Sequence, residues 1–206
     1  MEWVTSHTDM LGLIVNAAML VVWVVYLSIF LFSYLRQRRP CILITQGAGA
    51  GLSAKCFISN LGLEPIYVLD VLLTLKTEDQ QHLVNVTERS QLTDREQANP
   101  KEATNQGPLS TGDHESIGEV GVLLERALSG APENVTIDRV RVVEVTVVAA
   151  TAARGLLVGA RRSYELVGEE DERRLKPTTV MAEQITGRRS RRSLREDLQK
   201  RLEIAD

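Results

Sequence analysis

The sequence predicts a mainly β chain: one N-terminal transmembrane helix, then a two-layered β-sandwich, then a short C-terminal helix. Residues 10–35 form a run of 26 positions without Asp, Glu, Lys, Arg or His. From residue 40 to 167, apolar residues recur with a period near two between Gly, Asn and Pro turns, which is a strand pattern. Near the end, Leu194, Leu198 and Leu202 recur every four residues behind Ser193-Leu194-Arg195-Glu196, the spacing of a capped amphipathic helix.

The apolar run comes first. As a helix its 26 residues reach roughly 39 Å, against a hydrocarbon core of roughly 30 Å. A cleaved secretory signal puts basic residues before a shorter apolar stretch and small residues after it. Here residues 1–9 hold Glu2 and Asp9 and no Lys or Arg, and the bulky run Val21 to Leu35 leads straight into Arg36, Arg38 and Arg39. The sequence therefore predicts a retained anchor with a short leader outside. Basic residues stay on the cytoplasmic side of a span, so Arg36, Arg38 and Arg39 place everything after them in the cytoplasm. Asn16 is the strongly polar side chain of the span, and with Gly12 it offers a candidate helix–helix contact for a homo-oligomer.

Beyond the anchor, Pro40 ends the helix and Cys41 to Thr45 reads as a buried strand. Gln46-Gly47-Ala48-Gly49-Ala50-Gly51 follows, with Asp70 about twenty residues on. This is the general layout of a dinucleotide-binding turn, but the fingerprint wants a third glycine three residues after the second, and position 52 is Leu. Alternation in Leu52, Ala54, Cys56 and Ile58 favours a second strand instead, and a turn at Gly47-Ala48-Gly49 would set Cys41 roughly opposite Cys56. After Asn60-Leu61-Gly62 and Glu64-Pro65 a third strand runs from Ile66 to Leu75, with Tyr67, Leu69, Val71, Leu73 and Leu75 on one face. Strand, turn, strand, turn, strand is a β-meander.

Residues 82–86 suit a further short strand. Residues 87–115 are dominated by polar and acidic side chains, a composition too poor in apolar groups to offset the entropy of ordering, so they read as a disordered insertion. Ile117, Val120, Leu124 and Leu128 with a stop at Gly130 fit a short helix or a bulged strand. The Val-rich run from Val135 to Ala150 and its partner Leu156 to Val167 are strands. Six or seven strands in this length suggest an immunoglobulin-like or related β-sandwich, without the antibody core of a Trp packed on two cysteines. Residues 168–206 read as a charged tail carrying a helix at 194–204.

The net charge of −3 sets no general electrostatic address, but its distribution is uneven. Residues 76–119 hold nine acids against four bases, and Arg188, Arg189, Arg191, Arg192 and Arg195 crowd the tail. Those arginines, with Leu194, Leu198 and Leu202, are candidates for contact with anionic lipid or a protein partner. Nucleic acid is a poor fit, because stacking aromatics are missing beside them. His7, His82 and His114 are scattered, and Cys41 and Cys56 lack zinc spacing. No cofactor, metal centre or catalytic constellation is expected. The chain reads as a membrane-anchored binding or scaffold module with a protein partner, an accessory subunit of a membrane complex. The alternative is a nucleotide-binding enzyme using the turn at 47–51 and Asp70.

Overall fold

A computed structural model describes residues 8–37, 39–87, 104–152, 155–169 and 172–205, and the chain divides into two units, Met1–Arg39 and Pro40–Asp206. In the first unit, α1 (Thr8–Gln37) is one continuous helix. Its segment Met10–Arg36 is long and apolar enough to cross a membrane, and none of it is buried. Ser28 donates its hydroxyl to the Val24 carbonyl at 2.7 Å, so this polar group is satisfied within the helix without water.

The second unit is mainly β and is built as two sheets. The small sheet has the order β1-β2-β6, from β1 (Ile42–Gly47), β2 (Lys55–Asn60) and β6 (His114–Glu119). The large sheet has the order β10-β8-β7-β3-β4, from β3 (Ile66–Lys76), β4 (Gln81–Asn85), β7 (Val142–Thr151), β8 (Leu157–Val167) and β10 (Glu183–Ile185). Two short strands extend its margins: β5 (Gly107–Leu109) pairs with β3, and β9 (Arg174–Pro177) pairs with β8. The helix α2 (Val120–Ser129) packs Val120, Leu123, Leu124 and Ala127 into the core between the sheets. That i, i+3, i+4, i+7 stripe is what an amphipathic helix needs to bury one side.

Several sequence expectations shift in detail. The Val68/Asp70 step of β3 is a bulge against β7, and a bulge reverses the side on which the next residues point. The core therefore receives Ile66 and Val68 before the bulge and Val71, Leu73 and Leu75 after it. Tyr67 and Leu69, expected on that face, belong instead to the other one; Tyr67 is exposed. Residues 117–128 are both things at once: Ile117 lies within β6, which ends at Glu119, and the helix starts at Val120. The β7 strand begins at Val142 rather than Val135, because Ile137–Arg139 forms a short 3-10 turn.

Both described ends of the polar stretch 87–115, expected to be disordered, are ordered within the β domain. Residues 88–103 lie outside the described residues. Thr87 and Asn105 are buried, and residues 107–109 and 114–119 pair into the two sheets. Hydrogen bonding explains this order where hydrophobicity could not. Asn105 donates to the Val86 and Ile117 carbonyls, and Thr87 Oγ1 accepts from the Val71 N–H at 2.9 Å. The charged stretch after 167 likewise joins the sheet through β9 and β10, extending the domain beyond its expected end.

The last helix, α3 (Arg188–Ala205), starts six residues earlier than expected from the leucine spacing alone. Leu194 is buried on the outer face of the large sheet with Leu72, Val148 and Ile185, and Leu69, Leu157 and Leu198 pack around them. Gly159 makes room for this contact, since a Cβ there would lie 2.6 Å from the Val147 carbonyl oxygen and 3.4 Å from Leu194 Cδ2. Leu194→Ala should weaken docking by about 2–3 kcal/mol and raise the undocked population roughly thirtyfold or more. Trypsin cleavage at the arginines of α3, timed against cleavage elsewhere, measures it; an unchanged rate would show that the helix is held by other contacts.

Candidate functional site

The glycine-rich segment is the tip of the β1–β2 hairpin. Gly47 pairs with Lys55, and the chain returns through a 3-10 turn at Gly51–Ser53 into antiparallel β2. A Cβ on Gly49 would sit 2.5 Å from the Ser53 carbonyl oxygen, and Gly51 has φ +59°. The glycines are thus required by a crowded reversal of the chain. A dinucleotide turn instead aims a helix N-terminus at phosphate. Asp70 belongs to the large sheet, where its Oδ1 accepts from Asn85 Nδ2 at 3.1 Å and Thr87 Oγ1 at 3.2 Å. It holds the end of β4 to β3.

The cysteines are not opposite one another. The register pairs Cys56 with Gln46, while Cys41 precedes Ile42, the partner of Asn60. Five strand positions at about 3.4 Å each separate them by roughly 17 Å along the sheet, far outside disulfide reach. Both are free thiols, Cys41 half-buried and Cys56 buried.

Between the sheets lies a polar cluster that reading the sequence alone missed. In β8 the inward positions are Val158, Ala160, Arg162 and Tyr164. The guanidinium of Arg162 donates to the Ile44 carbonyl on β1 and, through Nη2, to the Thr179 and Val180 carbonyls at 3.1 Å each. Its Cζ stands 5.5 Å from the Tyr164 ring centroid. One buried cation thereby ties the large sheet, the small sheet and the 178–181 connection together. Three carbonyl dipoles and an aromatic face compensate its charge.

Burial pushes the Cys56 thiol up from 9.0 to about 12, and Arg162 only partly opposes this. Burial also raises the Tyr164 hydroxyl, against the same opposing charge. The sign for stability follows directly. Both groups are neutral in the folded state well past the pH at which the unfolded chain ionises, so the stability they retain is complete below about pH 9 and is lost as pH climbs toward 12. Cys56→Ala should remove a slope of up to about 1.4 kcal/mol per pH unit from that window, read by urea titrations at successive alkaline pH values. Native Cys56 should resist a maleimide that labels Cys41.

Two charged features lie on the surface of the domain. On the outer face, Glu144 accepts from Lys76 Nζ at 2.9 Å and from Ser163 Oγ at 3.0 Å, with Arg161 at 4.0 Å. At one end a cleft of about 110 Å³ is lined by Thr77, Glu78, Asp79, Asp138, Arg139 and Arg141. Its charges pair across it, Arg141 with Glu78 at 3.2 Å, which leaves a mixed and largely neutralised wall. Among the described residues, no group of three or more His, Cys, Asp or Glu could hold a metal ion.

The sequence-predicted site residues fall in separate places. Arg36 and Arg39 are exposed, and Arg38 lies outside the described residues. Gly12 has open space where a side chain would go, and Asn16 is exposed. Arg188, Arg189, Arg192 and Arg195 are exposed on α3, Arg191 is half-buried, and Arg192 pairs with Glu196 at 2.9 Å. Leu194 and Leu198 are turned inward onto the sheet, and the side chain of Leu202 lies outside the described residues. Parity was the signal for Arg162, because it shares its alternation with Val158, Ala160 and Tyr164. No family model, curated protein or solved structure matches the chain.

Proposed function

We propose that this chain is a single-pass, membrane-anchored binding or scaffold module, acting as an accessory subunit of a membrane complex. The observation that carries the reading is α1: its segment Met10–Arg36 is long and apolar enough to cross a membrane, unburied, and joined within a few residues to a densely packed β domain. Arg36, Arg38 and Arg39 favour the orientation with residues 1–9 outside and the domain in the cytoplasm. The two-sheet body reads as a sandwich of the immunoglobulin-like or a related class. Supporting this is a single core shared by a three-stranded and a larger sheet. The lipid bilayer is one partner and a protein the other. Gly12 and Asn16 give the span a small and a polar surface for helix–helix contact.

Membranes from cells making the full chain, washed in alkaline carbonate and then solubilised in mild detergent, test this reading. The chain should stay with the lipid pellet and then migrate in a particle larger than its own 22.9 kDa plus detergent. Release into the carbonate wash, or migration as a lone monomer, contradicts it.

A further inference from the structure

We propose that the β domain rests on the bilayer surface by the end at which the chain comes into it, with Leu61, Leu63 and Leu156 in the lipid interface and Arg188 and Arg189 against lipid phosphates. This deepens the reading above and rests on it.

The covalent chain supplies the first argument. Two residues, Arg38 and Arg39, separate Gln37 at the end of α1 from Pro40 at the start of the domain, a stretch of chain that can span at most about 11 Å. Whichever surface surrounds Pro40 and Cys41 is therefore kept at the membrane.

That surface is apolar in an unusual place. The loop 61–65 wraps around the incoming chain: Leu61 donates its N–H to the Cys41 carbonyl at 2.8 Å, and a Cβ on Gly62 would lie 3.1 Å from Cys41 N and 3.3 Å from Pro40 Cα. On either side of that glycine, Leu61 is 51% and Leu63 is 58% exposed. The β7–β8 turn lies beside them, since Ala152 donates to the Pro65 carbonyl at 3.0 Å, and it presents Leu156 at 41% exposure. Tyr67, two residues on from Pro65, is also exposed; an amphipathic ring suits the headgroup level.

The basic helix starts at the same end. In β10, Ile185 pairs with Gly159, close to the first residue of β8, and Gln184 clasps the start of β1 by accepting from the Ile42 N–H at 2.9 Å and donating to the Ile42 carbonyl at 2.7 Å. Arg188 and Arg189 follow at once and are exposed. Among the described residues, Glu64 and Asp113 are acids near this end, and Asp113 Oδ2 accepts from the Ser110 N–H at 3.0 Å. Leucines flanked by arginines match the layered chemistry of a bilayer interface, apolar beneath anionic. The far end of the sheet is lined instead by Thr77, Glu78, Asp79, Asp138, Arg139 and Arg141.

The full chain reconstituted into vesicles provides the test. A Cys41→Ser background leaves Cys56 buried, so an environment-sensitive dye can be attached singly at Leu63→Cys, Leu156→Cys or Asp79→Cys. With headgroup-level spin-labelled lipid, the dyes at 63 and 156 should be quenched at least about fivefold more than the dye at 79. Adding phosphatidylglycerol to phosphatidylcholine should increase that quenching, and Arg188→Gln/Arg189→Gln should abolish the increase. In a Trp3→Phe chain, deep-acyl brominated lipid should quench Trp23. If Trp23 is quenched but positions 63 and 79 behave alike, the docking proposal is overturned while the anchor survives. If Trp23 is untouched, the anchor reading fails and the proposal with it. Quenching at 63 that falls as protein is concentrated would assign the surface to a second copy, and that too overturns lipid contact.

Discussion

Arg162→Ala should cost about 3–5 kcal/mol of folding stability, the scale seen when one partner is deleted from a buried charged contact. The loss has three parts. The Ile44, Thr179 and Val180 carbonyls each lose a charge-assisted donor. The Tyr164 ring loses the cation over its face. Finally, a volume between two sheets is left to collapse or stay empty. Arg162→Lys should recover less than half, because a single ammonium cannot reproduce a planar fork aimed at carbonyls on two different segments. Arg162→Met separates packing from polarity. If it approaches the wild-type urea midpoint, the guanidinium serves mainly as filler; if it resembles Arg162→Ala, the carbonyl contacts carry the stability. Urea unfolding of the detergent-solubilised chain, followed by circular dichroism in the β region, ranks all three.

Asn60→Ala is the second large effect, expected at about 2–4 kcal/mol. Asn60 is fully buried and its amide is used on both sides. Nδ2 donates to the Glu64 and Leu109 carbonyls at 3.0 and 3.1 Å, and Oδ1 accepts from the Gly62 N–H at 3.0 Å. Its backbone N–H and carbonyl meet Asp113 and Gly112. One side chain thus fixes the 61–65 loop, the 110–113 turn and β5. Truncation takes the Asn60 amide away from three backbone groups, with the Leu109 and Gly62 contacts buried and the Glu64 contact part-buried. Asn60→Asp keeps the acceptor and loses the donor, so its deficit should be as large at neutral pH and should narrow as pH falls and the buried carboxyl gains a proton. A deficit that stays constant with pH would show that the amide nitrogen contributes little.

Much of the fold was legible because the physics that sets it is local. The apolar run at 10–35 announced a helix by length and composition. Alternation announced β1, β2, β3, β7 and β8, and glycine density announced the tight β1–β2 turn. What escaped depends on partners distant in sequence. The bulge in β3 leaves no mark in composition, yet it moves Tyr67 and Leu69 to the opposite face. Residues 104–115 read as too polar to order, because Asn105 and Thr87 are tied down by hydrogen bonds rather than by apolar burial. The strands β9 and β10 lie in a charged stretch whose pairing is dictated by the exposed edge of β8. The same blindness hid the candidate site. Arg162 looks like an ordinary surface arginine until its parity is counted with Ala160 and Tyr164, and Asn60 looks like an ordinary turn residue. The leucines of α3 were visible as a stripe, but only the sheet face, with Gly159 beneath Leu194, shows what the stripe packs against.

We propose that the β domain is tethered by a span whose basic end faces the cell interior. Protease treatment of sealed membranes in both orientations tests it most directly. With vesicles inverted so that the cytoplasmic face is outward, the domain should be digested and a small fragment around residues 1–39 should remain protected. With right-side-out membranes, the domain should survive intact. Digestion of the domain in the right-side-out preparation, or digestion of the whole chain in both, would contradict the account.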